Sequence, residues 1–277
     1  PTMISNIAAG NIAIRHNACG PCLPVVTACA TSTHAIGEAY RAIRHGYADA
    51  VITGGTEASI IHLGVAGFAN AKALSRSEDP QYASLPFSAD RGGFVMSEGA
   101  AILVLEEYEH AVARGAQIIA EVCGYGNTCD AHHVTAPRPD GKTQSAAIRM
   151  ALDEAGYTSE DTLYINAHGT GTALNDACET EAFKLALGED AYKAHISSTK
   201  GSTGHMLGAA GAAEAIATVL ALREGIVPPT VNLTNPDPAL DLNYTPCKPV
   251  KADLTIGISD SLGFGGHNGA VAFRRHK

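Results

Sequence analysis

Short apolar runs alternate with amphipathic, Gly-terminated stretches along this chain, and nothing else in the sequence constrains the fold as strongly. A strand buries a face every second residue and a helix about every 3.6, so the alternation predicts strands and helices in turn. That is the pattern of an α/β architecture. Strands are expected over 23–28, 48–53, 101–106 and 117–122, and again over 163–166, 194–198, 256–260 and 270–274. Helices are expected over 31–46, where Ala35, Ile36, Ala39, Tyr40 and Ile43 share a face, and over 143–155, 176–187 and 206–224. Gly46, Gly156, Gly188 and Gly225 follow these helical runs as stop signals. A polar loop is expected at 75–91 and a Pro-rich surface crossing at 228–249.

Composition narrows the function classes. At 277 residues the chain has room for one large domain or two smaller ones with a core that needs no staples. Hydrophobic residues make up 45% and charged residues 17%, which excludes disorder as the dominant state. With 29 Gly, no Trp and only 5% aromatics, small side chains must build the core. The net charge of −9 and the lack of a basic run argue against a nucleic-acid partner. No apolar run reaches the roughly 18–20 residues of a membrane span. Seven cysteines, an odd number with no signal peptide before them, point to free thiols in a reducing, cytoplasmic setting.

In open α/β sheets, reactive groups gather where strands end and helices begin. The first such junction is Thr27-Ala28-Cys29-Ala30-Thr31-Ser32. A Cys that opens a helix gains thiolate stabilisation from the dipole and the free N–H groups, so Cys29 is the candidate nucleophile and is expected to be the most reactive thiol. Otherwise it is a small buried hydrophobe. The second and third junctions, Asn166-Ala167-His168-Gly169-Thr170-Gly171-Thr172 and Lys200-Gly201-Ser202-Thr203-Gly204-His205, carry histidines that can converge above the sheet. The fourth, Ser261-Leu262-Gly263-Phe264-Gly265-Gly266-His267-Asn268, can bring backbone N–H groups close to a ligand, with Phe264 a gate or a core residue. Cys19-x-x-Cys22 and Asp130-Ala131-His132-His133 have metal-like spacing, but rigid-loop and mobile-loop readings fit them better, and no metal is expected. No phosphate-binding Gly motif occurs.

These four motifs, in this order, resemble those of the elongating β-ketoacyl-acyl carrier protein synthases, and the resemblance runs through the whole chain. Asp90-Arg91-x-Gly93-Phe94-Val95 and Pro228-Pro229-Thr230-x-Asn232 add to it. The resemblance implies a thiolase-like fold, two similar α/β halves in five α-β-α-β-α layers. The boundary falls between 1–116, with the nucleophile, and 117–277, with the histidines. It implies decarboxylative condensation of acyl- and malonyl-loaded acyl carrier protein, with a homodimer, no cofactor and no metal. In that reading Cys29 accepts the acyl group, His168 and His205 hold the malonyl thioester, Lys200 and Glu214 form a supporting charged pair, and Phe264 gates. Phe68, Thr170, Thr172, Gly265 and Glu214 contact substrate, 130–137 is a second mobile gate, and Lys72 is a docking candidate for the acidic carrier.

Two departures stand out. His267 occupies a position where Thr is usual, and the family has roughly a further third of chain before Pro1. The N-terminal half is therefore expected to be incomplete, with Cys29 open to solvent and residues 1–277 alone inactive and aggregation-prone. A thiolase would need a second Cys in the 263–267 turn, and a type III initiating synthase would use Asn for one His. A non-catalytic chain-length partner would lack Cys29. A polyketide ketosynthase and an inert fragment stay open.

Overall fold

A computed structural model of the chain describes residues 4–276. Its elements in chain order are α1 (Ile7–His16), α2 (Thr31–Arg44), β1 (Ala50–Glu57), α3 (His62–Asn70), β2 (Gly99–Glu106), α4 (Tyr108–Ala113) and β3 (Ala120–Cys129). There follow α5 (Lys142–Glu154), β4 (Leu163–Asn166), α6 (Ala173–Leu187), β5 (His195–Ser197), α7 (Lys200–Thr203), α8 (Ala210–Glu224), β6 (Ile226–Val227), β7 (Val250–Lys251), β8 (Ile256–Gly263) and β9 (His267–Arg275).

The apolar runs of the second half pair into one five-stranded sheet of order β3-β9-β8-β4-β5. β4 runs parallel to β5 and β8, while β9 pairs antiparallel with β8 and β3. Burial on both faces explains why β4 reads as near-continuous apolar text; β8 is buried along its length too, with Gly257, Ser259, Asp260 and Ser261 among its apolar residues. One face packs on α5 and α6 through Ile148, Leu152, Phe183, Ile165 and Ile258. The other packs on α2 and α8 through Ile36, Ala212, Ala215, Leu222 and Val271. The far side of α2 and α8 meets β1 and β2, an antiparallel pair that turns Ala101, Leu103 and Leu105 inward. Four layers are thus packed among the described residues. The outer face of β1–β2 carries Ile52, Ile102 and Val104 in the open.

Most expected elements form within a few residues of their bounds, and the departures have local causes. Residues 21–27 have no regular secondary structure and join no ladder among the described residues, so the run 23–28 is not a strand; Leu23 is 85% exposed. A strand exists by pairing, not by apolar content. The strand expected at 117–122 is displaced to Ala120–Cys129 because β9 supplies its partners from Arg275 back to His267. Its glycines hid it, yet at Gly126 a Cβ would fall 1.9 Å from the Ala147 carbonyl oxygen, so Gly is what lets α5 lie against the strand. Helices α1 and α3 were not expected, and neither has a buried residue. The fourth junction is a hairpin turn between β8 and β9, not a strand-to-helix passage. No described helix is long and apolar enough to cross a membrane.

Candidate active site

Cys29 lies in a 3-10 turn, Ala28–Ala30, that leads directly into α2. Ala28 has φ of 51°, a left-handed conformation that costs a residue with a Cβ about 1–2 kcal/mol. The bend is held because the Thr27 carbonyl accepts from Ala30 N–H at 3.1 Å and Thr31 Oγ1 accepts from Thr27 N–H at 2.9 Å. The β8–β9 turn closes over it. At Gly263 a Cβ would stand 2.4 Å from the Thr27 carbonyl oxygen, so only Gly permits this approach. Gly265 and Gly266, at φ of 94° and 81°, complete the turn. The contact aims the Phe264 backbone N–H at the Cys29 sulfur.

Cys29 is 8% exposed, packed with Phe94 and Leu207, and Phe68, Leu74 and Met96 border it. This corrects two expectations. The thiol does not stand open to solvent, because residues of the described chain already wall it in. Nor is it activated at rest. Burial pushes the thiol up to about 11, outweighing the lowering by the Lys200 charge and the Phe264 N–H. The exposed Cys19, Cys22, Cys129 and Cys247 are the more accessible thiols.

The two histidines meet as the junctions foretold. His168, at the end of β4, and His205, after α7, stand edge to face with ring centroids 5.2 Å apart. Both are buried, at 3% and 2% exposure. Burial holds both well below the ordinary histidine range, and the Lys200 charge lowers them further, so both rings are neutral at physiological pH. Lys200 Nζ lies 3.5 Å from His168 Nδ1. An ammonium can only donate, so Nδ1 accepts and the ring proton sits on Nε2. Lys200 also donates to Glu214 at short range, and both side chains are buried behind the histidines.

A cavity of about 370 Å³ is lined by Cys29, His168, His205, Phe264, Thr170 and Thr172, with Lys72 at its exposed mouth. Thr170 and Thr172 hydroxyls lie 3.0 Å apart. Phe68 does not line this cavity; its ring packs against Phe94 at 5.4 Å and Phe264 at 6.3 Å. Gly265 sits exposed at the turn tip, and neither Lys200 nor Glu214 lines the cavity: Lys200 meets it through His168, and Glu214 stands behind Lys200. The loop from Asp130 to Pro137 is tied to the Phe264 turn rather than free. Asp130 N–H donates to the Gly266 carbonyl at 2.8 Å, and Gly265 N–H donates to the Val134 carbonyl at 2.7 Å. Asp130 also accepts from Asn268 Nδ2 at 2.8 Å, while His132 and His133 stay exposed. Among the described residues no group of three or more His, Cys, Asp or Glu could hold a metal ion.

Sequence reasoning missed the carboxylates that set the His168 loop. Glu179 accepts from the N–H groups of His168 at 2.5 Å and Gly169 at 2.7 Å, and Asp176 accepts from Gly171 N–H at 3.2 Å and Phe87 N–H at 2.8 Å. Burial raises Glu179 well above the usual carboxylate range, and Asp260 beside it adds to the rise. The available signal was spacing: acids three apart on a face of α6 that also presents Ala182 and Phe183 to the core.

Known proteins share both the sequence and the backbone of this chain. Residues 1–111 match the family described as "Beta-ketoacyl synthase, N-terminal domain", and residues 119–234 match "Beta-ketoacyl synthase, C-terminal domain". The chain is 53% identical to 3-oxoacyl-[acyl-carrier-protein] synthase 2 of Synechocystis sp., an alignment that covers 100% of this chain and 67% of that protein. It is 48% identical to the protein of that name from Staphylococcus aureus, covering 99% and 66%. It therefore spans about two thirds of the length of these relatives. Among solved structures, a ketosynthase bound to a hexaketide and in complex with its type II polyketide acyl-carrier protein superposes with a TM-score of 0.95 at 39% identity, covering 98% and 67%. A β-ketoacyl synthase from Burkholderia phymatum superposes with a TM-score of 0.93 at 39% identity, covering 98% and 66%. With half its residues shared with one relative and its backbone shared with these ketosynthases, the chain belongs to the β-ketoacyl-acyl carrier protein synthase family and has its thiolase-like fold.

Proposed function

We propose that the chain carries the machinery for decarboxylative condensation of an acyl-acyl carrier protein with a malonyl-acyl carrier protein, giving 3-oxoacyl-acyl carrier protein in fatty acid elongation. The observation that carries this reading is the convergence of Cys29, His168, His205 and Phe264 on one cavity. In the first half-reaction the Cys29 sulfur attacks the acyl thioester, the carrier leaves as a thiol with the Cys29 proton, and the acyl group stays on Cys29. The N–H groups of Cys29 and Phe264 stabilise the oxyanion, a contribution of about 3–4 kcal/mol per donor. In the second, neutral His168 and His205 donate to the malonyl thioester oxygen. Carbon dioxide departs, and the enolate carbon forms a bond to the Cys29-bound carbonyl as the Cys29 sulfur is released and takes up a proton. Lys200, held by Glu214, keeps the His168 proton on Nε2.

Phe264 gates the cavity, Phe68 backs that gate, and Thr170, Thr172 and Gly265 meet the incoming carrier-bound chain. Lys72 at the mouth docks an acidic carrier protein. The assembly is a homodimer in the cytoplasm, and the halves divide at 1–116 and 117–277. A second reading, condensation in a polyketide pathway, is favoured by the likeness to the hexaketide-bound ketosynthase.

The test is intact-mass analysis with acyl-loaded carrier protein, followed by addition of malonyl-loaded carrier. An acyl adduct that maps to Cys29 and then leaves as a 3-oxoacyl product is expected. A folded protein with no adduct on Cys29 overturns the proposal. Faster turnover with poly-β-keto chains than with saturated ones would favour the second reading.

A further inference from the structure

We propose that His34 is a positioning residue that ties the bend carrying Cys29 to the strand following the Phe264 turn, so that the sulfur and the Phe264 N–H stay in register. The inference rests on the reaction proposed above. His34 lies on α2, is 6% exposed and does not line the cavity. Its Nδ1 lies 2.9 Å from Thr27 Oγ1, and its Nε2 lies 3.2 Å from the Asn268 carbonyl oxygen. A carbonyl can only accept, so Nε2 carries the proton and Nδ1 accepts from the Thr27 hydroxyl. One neutral ring thereby joins two backbone segments far apart in sequence.

Both ends of this tie lead to reacting atoms. Thr27 opens the bend two residues before Cys29, and its N–H is held in turn by Thr31. Asn268 pairs with Leu262 in the β8–β9 ladder, next to the pair Gly263–His267. Fixing Asn268 therefore fixes the root of Phe264. The site is built for an imidazole: at Gly269 a Cβ would fall 2.6 Å from His34 Cδ2, and the rings of Tyr125 and His267 meet His34 edge-on at 6.2 and 6.3 Å. Burial lowers the His34 pKa, which keeps the acceptor at Nδ1 available.

The tie bears on attack at Cys29 and not on the histidines that hold malonate, which gives a separable test. In the purified enzyme, His34→Ala is expected to slow single-turnover acylation of Cys29 by about 10- to 100-fold, because misplacement on the ångström scale costs that much. Decarboxylation of a malonyl thioester stays within about twofold, and His34→Gln, which can donate and accept across the same gap, recovers acylation to within about threefold of wild type. Thr27→Val, which removes only the hydroxyl end, gives the same split if His34→Ala does not fold. Wild-type acylation in His34→Ala or Thr27→Val, an equal fall in both half-reactions, or a His34→Gln variant no faster than His34→Ala overturns the proposal. If wild type acylates no residue at all, the proposed reaction fails instead. The tie is then read from Cys29 alkylation by iodoacetamide, where unchanged rates in all three variants reject it.

Discussion

Ile258 and Ile102 sit on strands of two different sheets and meet opposite fates. Ile258, in the middle of the five-stranded sheet, is 0% exposed, with helices on both faces. Ile102, on the two-stranded sheet, is 42% exposed, and Val104 beside it is 63% exposed. Intrinsic preference does not explain this, because the buried strand, IGISDSLG, holds fewer aliphatic residues than the exposed one, GAAILVLE. What separates them is the number of layers each sheet touches. The same division runs through the site. The chain before β3 contributes the sulfur, Phe68 and Phe94, and the chain after it contributes the neutral imidazoles, the buried Lys200 and the turn that aims an N–H at the sulfur. Substitutions that act on one part and spare the other test whether the chemistry divides as the packing does.

The largest effect is expected from Cys29→Ala. Condensation should fall by at least about 10⁴-fold, because no other thiol lines the cavity. Malonyl decarboxylation should persist, and release of labelled carbon dioxide measures it. Loss of both activities would mean that the halves do not work independently. The converse is His168→Ala or His205→Ala, each expected to lower decarboxylation by about 10²- to 10³-fold while Cys29 still takes up acyl groups. Since both rings are held well below the ordinary range, the decarboxylation rate should show no histidine titration between pH 6 and 8. A step in that interval would contradict the neutral-donor reading.

Stability should divide likewise. Ile258→Ala is expected to cost about 2–5 kcal/mol in denaturant unfolding, and Ile102→Ala about 0.5 kcal/mol or less. Equal costs would show that the outer face of β1–β2 is covered in solution. Cys29 alkylation by iodoacetamide should lag behind Cys19 and Cys22 at neutral pH, and its rate should rise about tenfold per pH unit toward about 11. The raised thiol also means that the unfolded chain ionises first, so this group's contribution to stability is present below about pH 9 and is lost as the pH climbs toward 11. The smallest change is expected from Val104→Lys, near-neutral for unfolding but raising the soluble, non-aggregated fraction of residues 1–277 in sedimentation. A wild-type chain already monodisperse at high concentration would remove the reason for that effect.

The amino-acid sequence by itself determined the α/β alternation, most strand and helix positions, and the order of four motifs whose reactive residues meet in one cavity. Those features are local: periodicity, Gly stops and side-chain chemistry survive without knowledge of partners. Tertiary structure alone decided three things. Residues 23–28 stay unpaired although they read as a strand, since a ladder needs a second chain segment. Cys29 is a raised thiol rather than an activated one, because the Lys200 charge and the Phe264 N–H lower its pKa by less than burial raises it. Spacing could flag Asp176 and Glu179, but only the fold set them against the N–H groups of Phe87 and His168, and only the fold placed His34 between Thr27 and Asn268. A residue's chemistry is written in its side chain, but its pKa and its aim depend on what the fold brings within a few ångströms of it.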